Sequence, residues 1–515
     1  MNLIDRLVGY FSPEAGYRRA VFRAELERNY TAARTDRFGQ WWPSNSSAEL
    51  TDAPSRDLIK ARARDLERNN GIVEGAIGQI VRNAVGRGIK PQAIITDNKG
   101  NEKWRINDRI EELWAEWTEK EHCELSHRMS FYDLQALYLR RLIVDGDIIL
   151  IKSLNPDASA PFPLVTQIIE NDFLANDLVQ FGGNYIYGGV EVDDYMAPVA
   201  YHFQFDRDMT RKAVRTDASR VIHSFFIRRP QQVRGISTLT VTMEHIRDCG
   251  EFVESELKAA RMAASLSGVI YSDQPSGGGL GRSMVQTEGG QTITAIEPGT
   301  MATLPTGQKA EFAQPGRPNG AAAPFISAML RIIGMSIGMS YEALSRDLSQ
   351  VNYSSAREGR LQDIKNYEII QQFVINNLCT PIYNEWLDNM VLAGKINIPN
   401  YWQNKRKYQK CRWVTPGWKW VDPQKEASGL DTQLSLNLTT LQEACGSTGT
   451  DWQENVEQRA REEAYVRECR NRYGLPDTTK KKEGGGDNAD NSDESGTSTS
   501  TGTGTSTNAG DNEDE

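Results

Sequence analysis

The chain has 515 residues, 39% of them hydrophobic and 25% charged, with a formal net charge of −10. That length exceeds one ordinary domain and suits two to four structural regions. From Pro476 onward there are ten acidic side chains and three lysines, so the rest of the chain is nearly neutral, which argues against a protein that grips nucleic acid tightly through its phosphates.

Residues 1–50 are polar and mixed, with a short amphipathic start at Leu3, Ile4, Leu7 and Val8, and FGQWWPSNSSAEL reads as an extended arm. Phe11 is soon followed by Pro13 and Glu14, so no N-terminal signal is expected. A helix capped by Ser55 follows, with Leu58, Ile59, Ala63 and Leu66 at helical spacing, and Asn70-Gly71 breaks it. Further helices are predicted over 72–85, over about 102–119 with Trp104, Ile110, Leu113, Trp114 and Trp117 as anchors, and over 131–145. Asp145-Gly146-Asp147 turns the chain into the apolar strand IILIKSL. The strand-like pieces FPLVTQIIE, NYIYGGVEV, APVAYHFQF and RVIHSFFI then make a small β-rich region up to about residue 230.

Leu239, Met243, Ile246, Gly250, Val253, Leu257, Ala260 and Ala264 alternate in steps of 4 and 3, an uninterrupted heptad seam. One helix over 237–267 would be roughly 46 Å long. Glu244, Asp248, Glu251 and Ser255 fall on another face. Residues 268–323 are rich in Gly and Pro and read as a turn-rich excursion. A second helix starts near Pro324 and is apolar nearly all round. With Pro324 and Arg331 inside it, the apolar stretch 321–339 falls short of the ~20 uninterrupted apolar residues of a membrane span and reads as a buried helix. The polar segment 340–354 leads into a long helix over about 355–392, interrupted at Pro381. Residues 400–422 are aromatic and basic, and 424–470 are helical with a break at Gly446–Gly449. The tail cannot bury enough apolar surface to offset its ordering entropy and is expected to be disordered. The fold class expected is α+β, mainly helical.

Sites of chemistry are sparse. No G-x-x-x-x-G-K-[ST] phosphate loop occurs; PSGGGLGRS lacks the lysine and the preceding parallel strand. No G-x-S-x-G elbow occurs, and there are only five histidines. His122, Cys123, Glu124 and His127 match no standard zinc spacing and read as a polar loop. Asp145 and Asp147 read as turn residues before metal ligands. The six cysteines include no C-x-x-C pair and read as free thiols in a reducing compartment. WQNKRKYQKCRW interleaves aromatics with Lys405, Arg406, Lys407, Lys410 and Arg412. It reads as a solvated face or a subunit contact, with nucleic-acid binding as the alternative. No catalytic, metal or cofactor residues are assigned, and no enzyme is expected.

Four stretches in order carry a resemblance to a known family: RARDLERNNGIVEGAIGQIVRNAVGRGIKPQ, RVIHSFFIRRPQQVRGIST, GMSYEALSRDLSQVNYSSAREGRL, and GWKWVDPQKEASG followed by GTDWQENVEQRAREEAYV. Over about residues 15–470 the chain resembles lambda-type bacteriophage portal proteins. The resemblance implies a ring-forming portal fold, of twelve subunits by the family's habit, that admits and releases double-stranded DNA at one capsid vertex. It implies an arm (1–50), a wing (51–236), a first stem helix (237–267), a clip (268–323) and a second stem helix (324–339). A tunnel loop (340–354), a long helix with wing return (355–425), a crown (426–475) and the tail (476–515) complete the layout. The implied partners are the terminase large subunit, major capsid and scaffold proteins, head-completion or adaptor proteins and DNA in transit, with no membrane. Assembly would occur in the host cytoplasm.

On this layout Glu244, Asp248 and Glu251 are expected to line the channel. Arg346, Gln350, Asn352 and Tyr353 are expected to touch DNA from the tunnel loop. Leu239, Met243, Ile246, Gly250, Val253 and Leu257 are expected to pack the ring. A DNA-packaging nuclease or ATPase, or another minor head protein, is the competing reading.

Overall fold

The structure is a computed structural model that describes residues 45–96, 103–205, 212–264, 268–272, 285–286, 292–293, 308–312, 320–349, 352–418 and 423–473. The arm before residue 45, most of the expected clip, Gln350 and the acidic tail lie outside the described residues. The chain divides into two compact units, Met1–Thr450 and Asp451–Glu515.

The first unit is mixed helix and sheet, mostly helical. It opens with α1 (Ala48–Asn69), α2 (Gly71–Ala84), strand β1 (Lys90–Ala93), α3 (Trp104–Trp117) and α4 (Phe131–Asp145). Local chemistry explains several boundaries. The Asn70 side chain accepts from Ile72 N at 3.0 Å and Val73 N at 3.3 Å, capping α2. Ser130 and Asp133 form a reciprocal capping box at the start of α4. The start of α1 departs from the expectation of a Ser55 cap. The helix begins at Ala48, seven residues earlier, and carries Pro54 inside it. A proline there removes one helical hydrogen bond, but the buried Glu49 carboxylate holds the first turn, accepting from Val233 N and Arg234 N at 2.9 Å each and from Arg56 at 2.6 Å.

Two antiparallel sheets follow. The smaller has the order β3-β2-β9, from β2 (Asp147–Leu154), β3 (Leu164–Ile169) and β9 (Val221–Phe225). The larger is a five-stranded meander of β4 (Gln180–Phe181), β5 (Asn184–Tyr187), β6 (Val190–Val192), β7 (Pro198–Phe203) and β8 (Val214–Asp217). The edge strands β4 and β8 lack the apolar alternation that marks the others. Ile149, Leu174, Val190, Val192, Tyr201 and Phe203 form a core between the two sheets.

Then come α5 (Met243–Ala264), the strand pairs β10–β13 (Gly268–Ser272 with Gln308–Phe312) and β11–β12 (Val285–Gln286 with Thr292–Ile293), and α6 (Ala322–Ile337). A short helix α7 (Tyr341–Ser345) leads into α8 (Tyr353–Val374). The expected interruption at Pro381 takes the form of a wide turn, Ile375–Cys379, that passes α8 into α9 (Thr380–Leu392) without a break. Such a bulge admits a residue that cannot donate to the regular ladder. Strand β14 (Cys411–Val414) pairs with β1, and α10 (Pro423–Ser435) and α11 (Leu441–Ser447) end the first unit. The division falls after Thr450, so α10 and α11 lie in the first unit. The helical core is centred on Trp114, Trp117, Phe131, Tyr383 and Trp386, whose rings meet in edge-to-face, tilted and stacked arrangements at 4.9–6.4 Å between centroids. Trp104, expected as an anchor, is instead 61% exposed at the first turn of α3.

The second unit contains one described helix, α12 (Trp452–Arg472), with an Asp451 cap and no buried residue. Among the described residues no helix is long and apolar enough to cross a membrane.

Candidate channel face and assembly surfaces

A buried polar junction precedes α5. Arg234, 1% exposed, donates from Nε to Asp147 at 2.5 Å and from Nη1 to the Gly188 carbonyl at 2.5 Å. Asp147 also accepts from Asn171 and faces His223 at 3.3 Å. Burial alone would raise the Asp147 carboxyl, but the Arg234 guanidinium and His223 outweigh it and hold it well below the usual range. Burial pushes His223 below its ordinary value, with Asp147 opposing. Next to this group Arg64 binds Asp145 at 2.7 Å and Asp172 at 2.7 Å, and Lys60 reaches Asp172 at 3.0 Å. The Asp145-Gly146-Asp147 turn is therefore a structural clamp. Gly146 adopts φ 92°, and any side chain on it would meet the Ile236 backbone, as one on Gly235 would meet the Gly146 carbonyl. The clamp fixes the segment immediately before Ser237, whose hydroxyl donates to the Ile143 carbonyl and accepts from Leu239 N. This network is the feature that reading the sequence missed: its members are spread from Glu49 to Arg234, and only the fold brings them together.

From that anchor the expected seam divides. The chain makes a tight 3-10 turn at Thr238–Val241, and α5 begins at Met243. Leu239, Met243 and Ile246 are buried in this chain's own core, at 2%, 8% and 1% exposure, and Gly250 sits beside the Asn70 amide. These three are used within the subunit, which corrects the expectation that the whole seam packs between subunits. Past Gly250 the contact face rotates, because Phe252 turns to Phe325 of α6 with ring centroids 4.7 Å apart. Val253 and Leu257 are left 44% and 48% exposed. On α6, Ile333 and Gly334 are buried while Phe325, Ile332 and Met335 are exposed, so this helix is two-faced rather than buried all round. Ala260 is exposed on α5, and the Ala264 side chain lies outside the described residues.

Glu244, Asp248 and Glu251 lie together on the exposed face of α5. Arg247 stands among them, 2.9 Å from Asp248 and 3.7 Å from Glu251, so the row is a partly compensated acidic face. Glu254 and Lys258 pair at 2.7 Å farther along.

The expected tunnel loop is mostly structured. Ser340 caps α7, donating to Asp363 at 2.6 Å and accepting from Ala343 N. Arg346 ends α7 at φ 57° with an exposed side chain. Asn352 caps α8 by accepting from Ser355 N at 2.9 Å. Tyr353 is the first residue of α8, and its side chain, like Gln350, lies outside the description.

The aromatic and basic run is largely structural. Lys405 pairs with Asp388 at 2.5 Å, Tyr408 is buried, and Arg412 lies in β14 paired to β1. Burial pushes the Cys123 thiol up to about 12, and the neighbouring His122 ring packs on Phe162 at 5.1 Å. No cluster of three or more metal-ligating side chains occurs among the described residues.

A family model described as phage portal protein, lambda family, matches residues 34–371. The chain belongs to the lambda family of phage portal proteins. It is a portal protein, a structural head–tail connector component of the virion. The probable portal protein of Halomonas phage phiHAP-1 is 27% identical over 446 residues, covering 83% of this chain and 84% of that relative. Portal protein B of Escherichia phage lambda is 21% identical over 467 residues, covering 82% and 86%. Among solved structures, the neck of a native gene transfer agent particle computed with C12 symmetry aligns over 77% of this portal subunit and 99% of that chain, at 12% identity and a TM-score of 0.44. An HK97 family phage portal protein from Corynebacterium diphtheriae aligns over 56% and 80%, at 10% identity and a TM-score of 0.30.

Proposed function

We propose that twelve copies of this portal subunit close side by side into a ring whose central channel passes double-stranded DNA during packaging and ejection. The observation that carries this reading is the pair of apolar stripes left exposed among the described residues: Val253 and Leu257 on α5, and Ile332 and Met335 on α6, with the half-exposed Phe325 beside them. A ring built by head-to-tail contacts needs two different surfaces on one subunit, each complementary to the other. The two stripes supply such surfaces, with Gly250 at the start of the first. Twelve helices about 10 Å wide, side by side, give a circumference of about 120 Å and a bore of roughly 28 Å, enough for a duplex.

In this reading 237–267 and 324–339 are the stem, 268–323 the clip that docks the terminase motor and later the head-completion proteins, and 51–236 with part of 355–425 the wing. Residues 426–475 are the crown, facing capsid and scaffold. The terminase supplies the energy and the portal supplies the passage. Assembly takes place in the host cytoplasm. Glu244, Asp248 and Glu251 face the bore and keep phosphates from settling on the wall, while Arg247 limits the field so that the wall neither binds nor strongly repels. Arg346 and Asn352, with Gln350 and Tyr353, meet the backbone in passing.

Replacing Glu244, Asp248 and Glu251 by lysine in a packaging reaction tests the assignment. The expected result is slower packaging, most pronounced at low salt where screening is weak. Packaging at the normal rate at low salt contradicts a bore-facing position for this row.

A further inference from the structure

Helix α8 has two unlike sides, and the contacts between copies proposed above use neither. On one side it walls a cleft of ≈ 440 Å³ that α2 and α7 complete. The apolar surface within reach of an occupant comes from Ala343, Leu348, Ala356 and Ile364; Leu348 is 62% exposed and the others are partly exposed. The rim carries Glu342 and the exposed Arg357. On the other side of α8, Glu358, Leu361, Lys365 and Ile369 follow one another in steps of 3, 4 and 4, and all four are exposed. At about 100° per residue this row lies roughly opposite the side that carries Ala356 and Arg360. Leu361 is 43% exposed and Ile369 69%. The two sides therefore match. One is a concave apolar surface edged by a carboxylate and a guanidinium, and the other is a convex apolar row that carries an ammonium and a carboxylate. A closed ring requires just such a pair on each subunit, two different surfaces turned nearly opposite ways.

We propose that α8 makes a second belt of contacts between copies of this chain, separate from the α5 and α6 stripes. Leu361 and Ile369 of one subunit enter the cleft of the next and cover Leu348, Ala356 and Ile364 there. Lys365 meets Glu342 of the partner subunit, and Glu358 meets Arg357 of the partner subunit. The apolar contact supplies the driving force, by removing side chains on both subunits from water. The charges set direction: in this docking each cation faces a carboxylate, whereas a docking that set like charges against each other is penalised. Asp363 stays out of the contact, because its oxygens are taken by Ser340 N at 2.8 Å and the Ser340 hydroxyl at 2.6 Å. The proposal rests on the ring reading and adds to it the α8 belt and its direction.

The test is cysteine cross-linking of the full-length chain carrying Ile369→Cys and Leu348→Cys, treated with a short bismaleimide and examined in parallel by negative-stain microscopy. The unsubstituted chain sets the background from the native thiols, of which Cys123, Cys249 and Cys379 are buried. The double variant should give a ladder of covalent multimers, and each single variant should give no more than background. Rings at normal yield without a ladder overturn the α8 belt and leave the ring reading standing. Absence of rings in every sample, the unsubstituted chain included, overturns both. A charge exchange supplies the second measurement. Lys365→Glu should cut ring yield about tenfold and leave the subunit's thermal midpoint in place, and adding Glu342→Lys should restore the yield. Recovery in the pair is a result that general damage to the fold would not give; an unchanged yield in the single variant, or no recovery in the pair, overturns the proposed pairing.

Discussion

Arg234 is fully enclosed, with its charge matched by Asp147 and its remaining donors aimed at the Gly188 carbonyl. Removing one member of such a pair leaves the other charge buried and uncompensated, a loss of about 3–5 kcal/mol. Arg234→Met should lower the denaturation midpoint accordingly, and adding Asp147→Leu should recover part of the loss; an undisturbed midpoint in the single variant would contradict the clamp. The same site gives a pH dependence. His223 has its folded pKa lowered by burial, so its contribution is complete above its unfolded value of roughly 6.5 and is lost as pH falls below it. Glu191 is held at about 2, first by its hydrogen bonds from Arg215 and then against the opposing effect of burial, with Asn184 and His202 adding to the lowering. Its contribution is present above about pH 4.3 and declines between there and about 2. Thermal scans from pH 7 to pH 5 should therefore show falling stability, with a shallower slope in His223→Asn. An identical slope in that variant removes His223 as the cause.

At the scale of elements, α5 is two helices in one: its first turns are core and its later turns present apolar side chains to solvent. Ile246→Ala should cost the subunit about 2–5 kcal/mol, as a cavity in a packed core does. Val253→Ser with Leu257→Ser should change subunit stability by only about 0.5 kcal/mol and still abolish assembly, read by sedimentation and by thermal denaturation of the same sample. Assembly unimpaired by the double variant would place the subunit contact elsewhere. The heptad spacing showed that a helix was there and which positions were apolar, but not that Phe252 would draw the contact face toward α6 and split the stripe. The spans of α2 and α4 were legible from local pattern, and their caps at Asn70 and Ser130 are local events within four residues, although in sequence Asn70-Gly71 reads only as a break. The start of α1 was not legible, because Glu49 is fixed by backbone amides at Val233 and Arg234, far along the chain. Strands β4 and β8 escaped for a related reason: QF and VRTD have no apolar alternation, and pairing with β5 and β7 alone makes them strands. Of the expected site residues, the acidic row was visible as a helical face, whereas its partial neutralisation depends on the Arg247 rotamer, and the Asn352 cap depends on where α8 begins.

For the whole molecule, membership of the lambda portal family and the exposed apolar side chains of α5 and α6 support the proposal that the subunit works as one member of a ring. Helix α12, in the second unit, has no buried residue. The near-neutral charge of residues 1–475 then suits a conduit, where tight phosphate binding would stall transit. The most direct test is electron microscopy of the purified full-length chain under conditions of head assembly. Closed rings with a central opening wide enough for a duplex are the expected particles; a population consisting only of single subunits, or of closed assemblies without a hole, would contradict the account.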